Sequence, residues 1–224
     1  LATVKKSLGQ YLLSYFKQIQ IEATSGEFSD SLEVVLFEGR YMLNTANATY
    51  SFEDRYSSYK TALHTIATQI PQMKTALVLG LGLGSIPQML QRNFNFTGHI
   101  DCVEIDGKIM QLAEKYYPST PLFNQLTMHK NDALQWMELN TKQFDLIAVD
   151  LFIDKNVPLQ FQSNAFMILL KKTLQPNGIL LFSRMSENYR AEQSLIDNLN
   201  LVFPTGKAID TGGNMIYYYN NSAV

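Results

Sequence analysis

The chain has 224 residues, 46% of them hydrophobic and 17% charged, which excludes intrinsic disorder and is enough for a sizeable core plus a small appendage. Its 18 Lys+Arg against 20 Asp+Glu leave a net charge of -2, so no general attraction for a phosphate backbone or an anionic membrane exists and nucleic acid is not expected as a partner. No apolar run approaches the ~20 residues of a membrane span, and one cysteine with three scattered histidines offers neither a disulfide nor a zinc cluster. A cytoplasmic protein without a metal is the expectation, and no secretory signal is expected in residues 1 to 20, which carry Lys5, Lys6 and Lys17 within a helical pattern and lack a continuous apolar stretch.

Val4, Leu8, Tyr11, Leu12, Tyr15, Phe16 and Ile19 recur at helical spacing and predict an opening amphipathic helix with a packing face. Alternation at Leu32, Val34 and Leu36 and at Tyr41 and Leu43, broken by Gly and Asn turns, predicts antiparallel hairpins. Tyr56, Tyr59, Leu63, Ile66 and Ile70 predict a second helix over 55 to 70, ended by Pro71. These parts form an N-terminal segment, residues 1 to 70.

From residue 71 the pattern changes. Short apolar strands are predicted at Ala76 to Gly80, His99 to Glu104, Leu126 to His129, Phe144 to Asp150 and Gly178 to Ser183. Helices are predicted near 85–93, 107–117, 131–139, 162–174 and 188–200, with two closing strands at Leu201 to Ile209 and Met215 to Tyr219. Strand and helix alternating, with nearly continuous apolar strands, predicts an α/β domain over 71–224: a mostly parallel, Rossmann-like sheet covered on both faces.

TALVLGLGLGSIPQML runs a buried strand into Gly80, Gly82 and Gly84 and then into a helix, the arrangement that brings backbone and free N–H groups up to a nucleotide. Ser85 stands where the dinucleotide fingerprint has its third glycine, which weakens a nicotinamide reading. Glu104 ends the second strand 20 residues after Gly84, where a carboxylate accepts from both ribose hydroxyls, and Asp106 reads as the next helix cap. Asp132 reads as a helix cap that also accepts from an adenine amine, and Trp136 as core. Asp150 ends the fourth strand at the carboxyl edge of the sheet, where open α/β folds hold ligands. Asp145 lies at the far end and is assigned no chemistry; Asp154, in the loop beyond, faces water more readily than substrate.

GLGLGS, VEID, NDALQWM and FDLIAVDLFID together resemble the class I S-adenosylmethionine-dependent methyltransferase superfamily, and specifically its spermidine synthase branch, the polyamine aminopropyltransferases. The hairpin segment and the YSFEDRYSSYKTAL stretch ahead of the glycine loop carry the closer resemblance. It implies that Gly80, Gly82, Leu83 and Gly84 border the methionine portion of S-adenosylmethionine or its decarboxylated form, used as a co-substrate. It further implies that Glu104, with Ile105 beside it, holds the ribose, that Asp132 and Ala133 read the adenine, and that Asp150 also touches the donor. Asp150 and Tyr59 would be catalytic, the aspartate orienting a polyamine nitrogen and taking its proton; the residue pattern alone also allows Tyr59 to be an ordinary half-buried aromatic. A homodimer, through the hairpin segment and the first helix, is implied as well.

The chain departs from the family at four places. Leu83 replaces the aspartate of the usual GGGDG loop, so an apolar side chain is expected at the donor tail, with little discrimination between the two donor forms. Tyr59-Lys60-Thr61 lacks the usual acidic residue, Leu151-Phe152-Ile153 replaces Ser-Asp-Pro, and Asp210-Thr211-Gly212-Gly213 stands for Tyr-Pro-Ser-Gly. Three alternatives to aminopropyl transfer therefore stay open: a methyltransferase acting on a small molecule, a non-catalytic nucleotide-binding module, and a nicotinamide dehydrogenase.

Overall fold

The computed structural model describes residues 7–117, 125–153, 155–186 and 192–222. The N-terminal part opens with a short helix, α1 (Leu8–Leu13), followed by an antiparallel four-stranded sheet in the order β1 (Ile19–Thr24), β2 (Leu32–Phe37), β3 (Arg40–Asn44), β4 (Thr49–Ser51). Glu38 and Gly39, both at positive φ, make the tight β2–β3 turn, the backbone whose twist matches that of paired strands. The opening helix is much shorter than its periodicity predicts. Ile19 belongs to β1, Leu8, Leu12, Leu13 and Phe16 stand exposed, and Val4 lies outside the described residues.

After α2 (Ser57–Thr65) the chain alternates: β5 (Thr75–Leu79), α3 (Ser85–Asn93), β6 (His99–Glu104), α4 (Gly107–Tyr116), β7 (Leu126–Lys130), α5 (Ala133–Leu139) and β8 (Phe144–Val149). It continues through α6 (Asn164–Thr173), β9 (Leu174–Met185), α7 (Gln193–Val202), β10 (Lys207–Asp210) and β11 (Asn214–Asn220). These strands form one sheet ordered β10-β11-β9-β8-β5-β6-β7, parallel from β9 to β7, with β11 antiparallel to β9 and β10 to β11. The predicted α/β architecture is the observed one.

Alternation along the strands splits the core into two layers. Ala76, Val78, Leu146, Ala148, Ile179 and Leu181 face α2 and α3, whereas Leu77, Leu79, Ile147, Val149, Leu180 and Phe182 face α5, α6 and α7. Covered on both sides, the strands can be apolar throughout, which is why they read as continuous runs. Two boundaries differ from expectation. β9 begins at Leu174, inside the predicted helix, and Leu201 and Val202 finish α7, because Pro204 and Gly206 delay the last hairpin to Lys207.

The sheet order reverses between β5 and β8, so connections leave to opposite sides and open a crevice at their carboxyl ends. Asp145, at the other end of β8, accepts from the Lys74 and Thr75 amides at 2.7 and 3.0 Å and fixes the start of β5. Among the described residues no helix is long and apolar enough to cross a membrane.

Candidate active site

A cleft of about 630 Å³ opens at that crevice. Its floor is the glycine turn. Gly80 takes φ +91°, and a Cβ there would sit 2.3 Å from the Asp150 carbonyl oxygen, so only glycine lets the ends of β5 and β8 approach this closely. Gly84, at φ +83°, precedes α3, and a Cβ on it would meet the Tyr117 ring at 2.5 Å. Gly80 and Gly82 line the cleft, Gly84 supporting them from behind.

Glu104 is 8% exposed, with Oε2 accepting from the Leu81 and Gly82 amides at 3.1 and 3.4 Å and Oε1 from the Asp106 amide at 3.0 Å. Burial raises its pKa, and these three amides and the nearby Asp106 modulate the rise, the amides pulling it back. The carboxylate thus joins the glycine loop to the end of β6 and reaches the cleft beside Ile105. Asp106 is the cap of α4, Oδ1 accepting from Lys108 and Ile109 amides; its Oδ2 takes the Glu27 and Phe28 amides at 2.8 and 3.2 Å. That second pair draws the β1–β2 loop over the cleft, where Phe28 and Ser29 form a wall.

Asp132 caps α5 through Oδ1, while Oδ2 accepts from Gln160 at 3.4 Å across the cleft, and Asn131, Asp132 and Ala133 line this end. Trp136 packs instead against His129 and Phe144 with the core under α5 and α6. Glu104 and Ile105 at one strand end, with Asp132 and Ala133 beyond the next, thus line the same end of the cleft.

At the opposite end stands Asp150. The Tyr56 hydroxyl donates to its Oδ2 at 2.9 Å, and Oδ1 has no partner within hydrogen-bond distance. Burial pushes this carboxyl up to about 7, against the opposing pull of Tyr56 and of the Ser183 hydroxyl. The Tyr56 phenol is raised well above its ordinary value by burial and by Asp150, so it stays a donor. A half-ionised carboxylate with one oxygen held and the other unpartnered, on a residue that lines the cleft, can accept a proton from an incoming nucleophile.

Two sequence expectations need correction. Tyr59 is fully buried and its hydroxyl donates to the backbone carbonyl of Val149 at 2.7 Å, with Leu181 at 3.3 Å. It has no hydroxyl left for substrate, and it supports the strand end that carries Asp150. Tyr56, whose ring stacks on Tyr59 at 6.2 Å, is the tyrosine that reaches the carboxylate. The signal was available, since residues three apart share a helical face, but family spacing directs attention to the later tyrosine. Leu83 is 1% exposed and points away from the cleft, into a cluster with Leu32, Leu36, Leu43, Ile109 and Leu112. It therefore sets no donor preference by contact. Sequence reasoning also missed the Phe28–Ser29 wall and gave the Thr211–Asn214 turn no place in the site, although both line the cleft; Asp154 lies outside the described residues.

The strand order, with its antiparallel closing pair, and a cleft built from a glycine turn, a strand-end Glu104 and a strand-end Asp150 define the class I methyltransferase-like fold. A probable spermidine synthase from Corynebacterium glutamicum shares that fold, with a TM-score of 0.73 at 17% identity over 91% of this chain and 81% of that one. Residues 55–205 match the family model for the spermine/spermidine synthase domain, and the chain belongs to that family. It is 30% identical to the polyamine aminopropyltransferase of Vibrio vulnificus over 119 residues, which are 52% of this chain and 39% of the relative. It is 29% identical to a probable polyamine aminopropyl transferase of Bifidobacterium longum over 141 residues, 60% of this chain and 30% of that one. The chain thus spans well under half the length of these two relatives.

Proposed function

We propose that the protein transfers an aminopropyl group from decarboxylated S-adenosylmethionine to an amine of the polyamine class. The observation that carries this reading is Asp150: a carboxyl raised to about 7 on a residue that lines the same cleft as Glu104, one oxygen on Tyr56 and the other buried without a partner.

A sulfonium donor brings its own leaving group, so the chain needs no covalent nucleophile; its task is alignment and removal of one proton. Glu104 accepts the ribose hydroxyls, and Asp132 with Ala133 borders the adenine. This fixes the sulfur over the glycine turn and puts the propyl carbon near Asp150. Asp150 takes a proton from the acceptor ammonium, the freed lone pair attacks that carbon, and the C–S bond breaks with its electron pair going to sulfur. An ammonium with an ordinary pKa near ~10.4 is mostly protonated at neutral pH, which makes this carboxylate the requirement of the step. Tyr56 steadies the ionised carboxylate without giving up its own proton.

Asp150→Asn tests the assignment. It is expected to leave 5'-methylthioadenosine binding within about twofold and to lower aminopropyl transfer to putrescine by at least about 10²-fold, the scale of general-base assistance. Equal turnover in the variant overturns it.

A further inference from the structure

We propose that Ser183 and Asn214 are positioning residues for Asp150: the Asn214 amide holds the Ser183 hydroxyl, which is thereby aimed at the open oxygen of the aspartate. The inference rests on the reading of Asp150 as the base of the cleft, and it adds the group that controls the oxygen Tyr56 leaves unbound.

Strand register supplies the geometry. Val149 of β8 lies opposite Phe182 of β9, so the next pair, Asp150 and Ser183, stand side by side and point to the same face. Ser183 is fully buried, and its Oγ accepts from Asn214 Nδ2 at 2.9 Å. With the oxygen engaged in that direction, the hydroxyl proton is free to serve an acceptor on the other side. Asp150 Oδ1 is a buried acceptor without a partner at bonding distance, a group that is costly to leave unmatched. Ser183 already favours the ionised carboxyl.

Asn214 is itself held firmly. It closes the turn that overhangs the cleft, its carbonyl accepting from both Thr211 N at 3.0 Å and Thr211 Oγ1 at 2.6 Å, while the Ser186 amide donates to the Gly213 carbonyl at 3.1 Å. An acceptor resting on this turn therefore presses on the same chain of hydrogen bonds that orients its base. The other groups facing Asp150 come from different elements. Tyr56, ahead of α2, takes Oδ2, and Tyr59 of α2 is engaged with Val149 and Leu181. Glu104, Asp132, Arg55 and Lys155 line more of the cleft. None of these is altered by changing Ser183 or Asn214.

The test follows the carboxyl directly. The full chain with ¹³C-labelled aspartate is titrated by NMR, the Asp150 signal being the one lost in Asp150→Asn, alongside the pH profile of aminopropyl transfer to putrescine. Ser183→Ala and Asn214→Leu are each expected to move the Asp150 midpoint upward by about half a pH unit or more, roughly a threefold change in the ionised ratio, because a donor to the charged form is lost. Ser183→Thr, which keeps the hydroxyl, is expected to restore the midpoint. An unchanged midpoint in both variants overturns the proposal, and so does a threonine variant that shifts as far as the alanine one. A shifted midpoint with no transfer by the wild type would leave the positioning role standing and remove the proposed reaction.

Discussion

The desolvated carboxyl of Asp150 is a cost to stability. Its carboxyl is near 3.8 when unfolded and about 7 in the folded protein, so between those values the native state binds more protons than the unfolded one. Stability is then highest below the lower value, falls as the pH climbs through the interval, and carries the whole penalty above about 7. A difference of about three pH units corresponds to about 4 kcal/mol, an upper figure before the site relaxes. Asp150→Asn is therefore expected to unfold at higher urea than the wild type at pH 8, with the gap shrinking to little or nothing at pH 4. Equal midpoints at pH 8 would mean the carboxyl is not desolvated. This residue and Glu104 were legible in the sequence because each closes an apolar strand, and the strand end fixes which edge of the sheet a side chain meets. Tyr56 was not. Its proximity to Asp150 depends on how the 52–56 segment crosses the sheet, a path set by contacts from residues far away in the chain.

That path is held at the start of α3. The Ser85 hydroxyl lies 2.7 Å from that of Ser51 and accepts from the Phe52 amide at 2.8 Å, all within buried or part-buried surroundings. A dinucleotide fingerprint has glycine at this position; here a hydroxyl is required because an N-terminal strand arrives on top of the helix. Ser85→Ala leaves the Phe52 N–H without its acceptor, an expected loss of about 1 to 3 kcal/mol. Hydrogen exchange at the Phe52 amide should quicken while protection in β8 and β9 stays as it was, and an unchanged Phe52 rate would show that another group holds the segment. At this scale the sequence was informative wherever an element is sandwiched. Strands β5 to β8 and helices α3 to α6 match their expected bounds to within two residues, since burial on known faces leaves a periodic trace. The opening helix is shorter than its pattern because Leu8, Leu12, Tyr15 and Phe16 keep the period without being buried. Periodicity marks a face that can pack, and whether anything packs there is decided elsewhere.

Across the whole molecule, the small N-terminal sheet and the large one are joined by a shared apolar cluster. Leu32, Val34, Leu36 and Leu43 from the first meet Leu83 of the glycine loop and Ile109, Leu112 and Tyr116 of α4, which pack on the second, so the loop and α4 are clamped from outside the cleft. The pattern of residues 1 to 70 announced hairpins ahead of a Rossmann-like sheet, yet nothing in the periodicity said which face of the loop they would cover. That missing piece is what misplaced Leu83. A reading in which it borders the donor tail predicts that Leu83→Asp keeps the fold and separates the affinities of S-adenosylmethionine and its decarboxylated form. In the observed packing the same substitution buries an unpaired carboxylate among leucines, which costs several kcal/mol unless the group is neutralised. Leu83→Asp is therefore expected to unfold at far lower urea than the wild type, most severely at pH 8, where the carboxylate is charged. Leu83→Met, close to it in volume, should lose less than about 1.5 kcal/mol. A stable Leu83→Asp protein with split donor affinities would return the residue to the cleft and detach the N-terminal sheet from the loop.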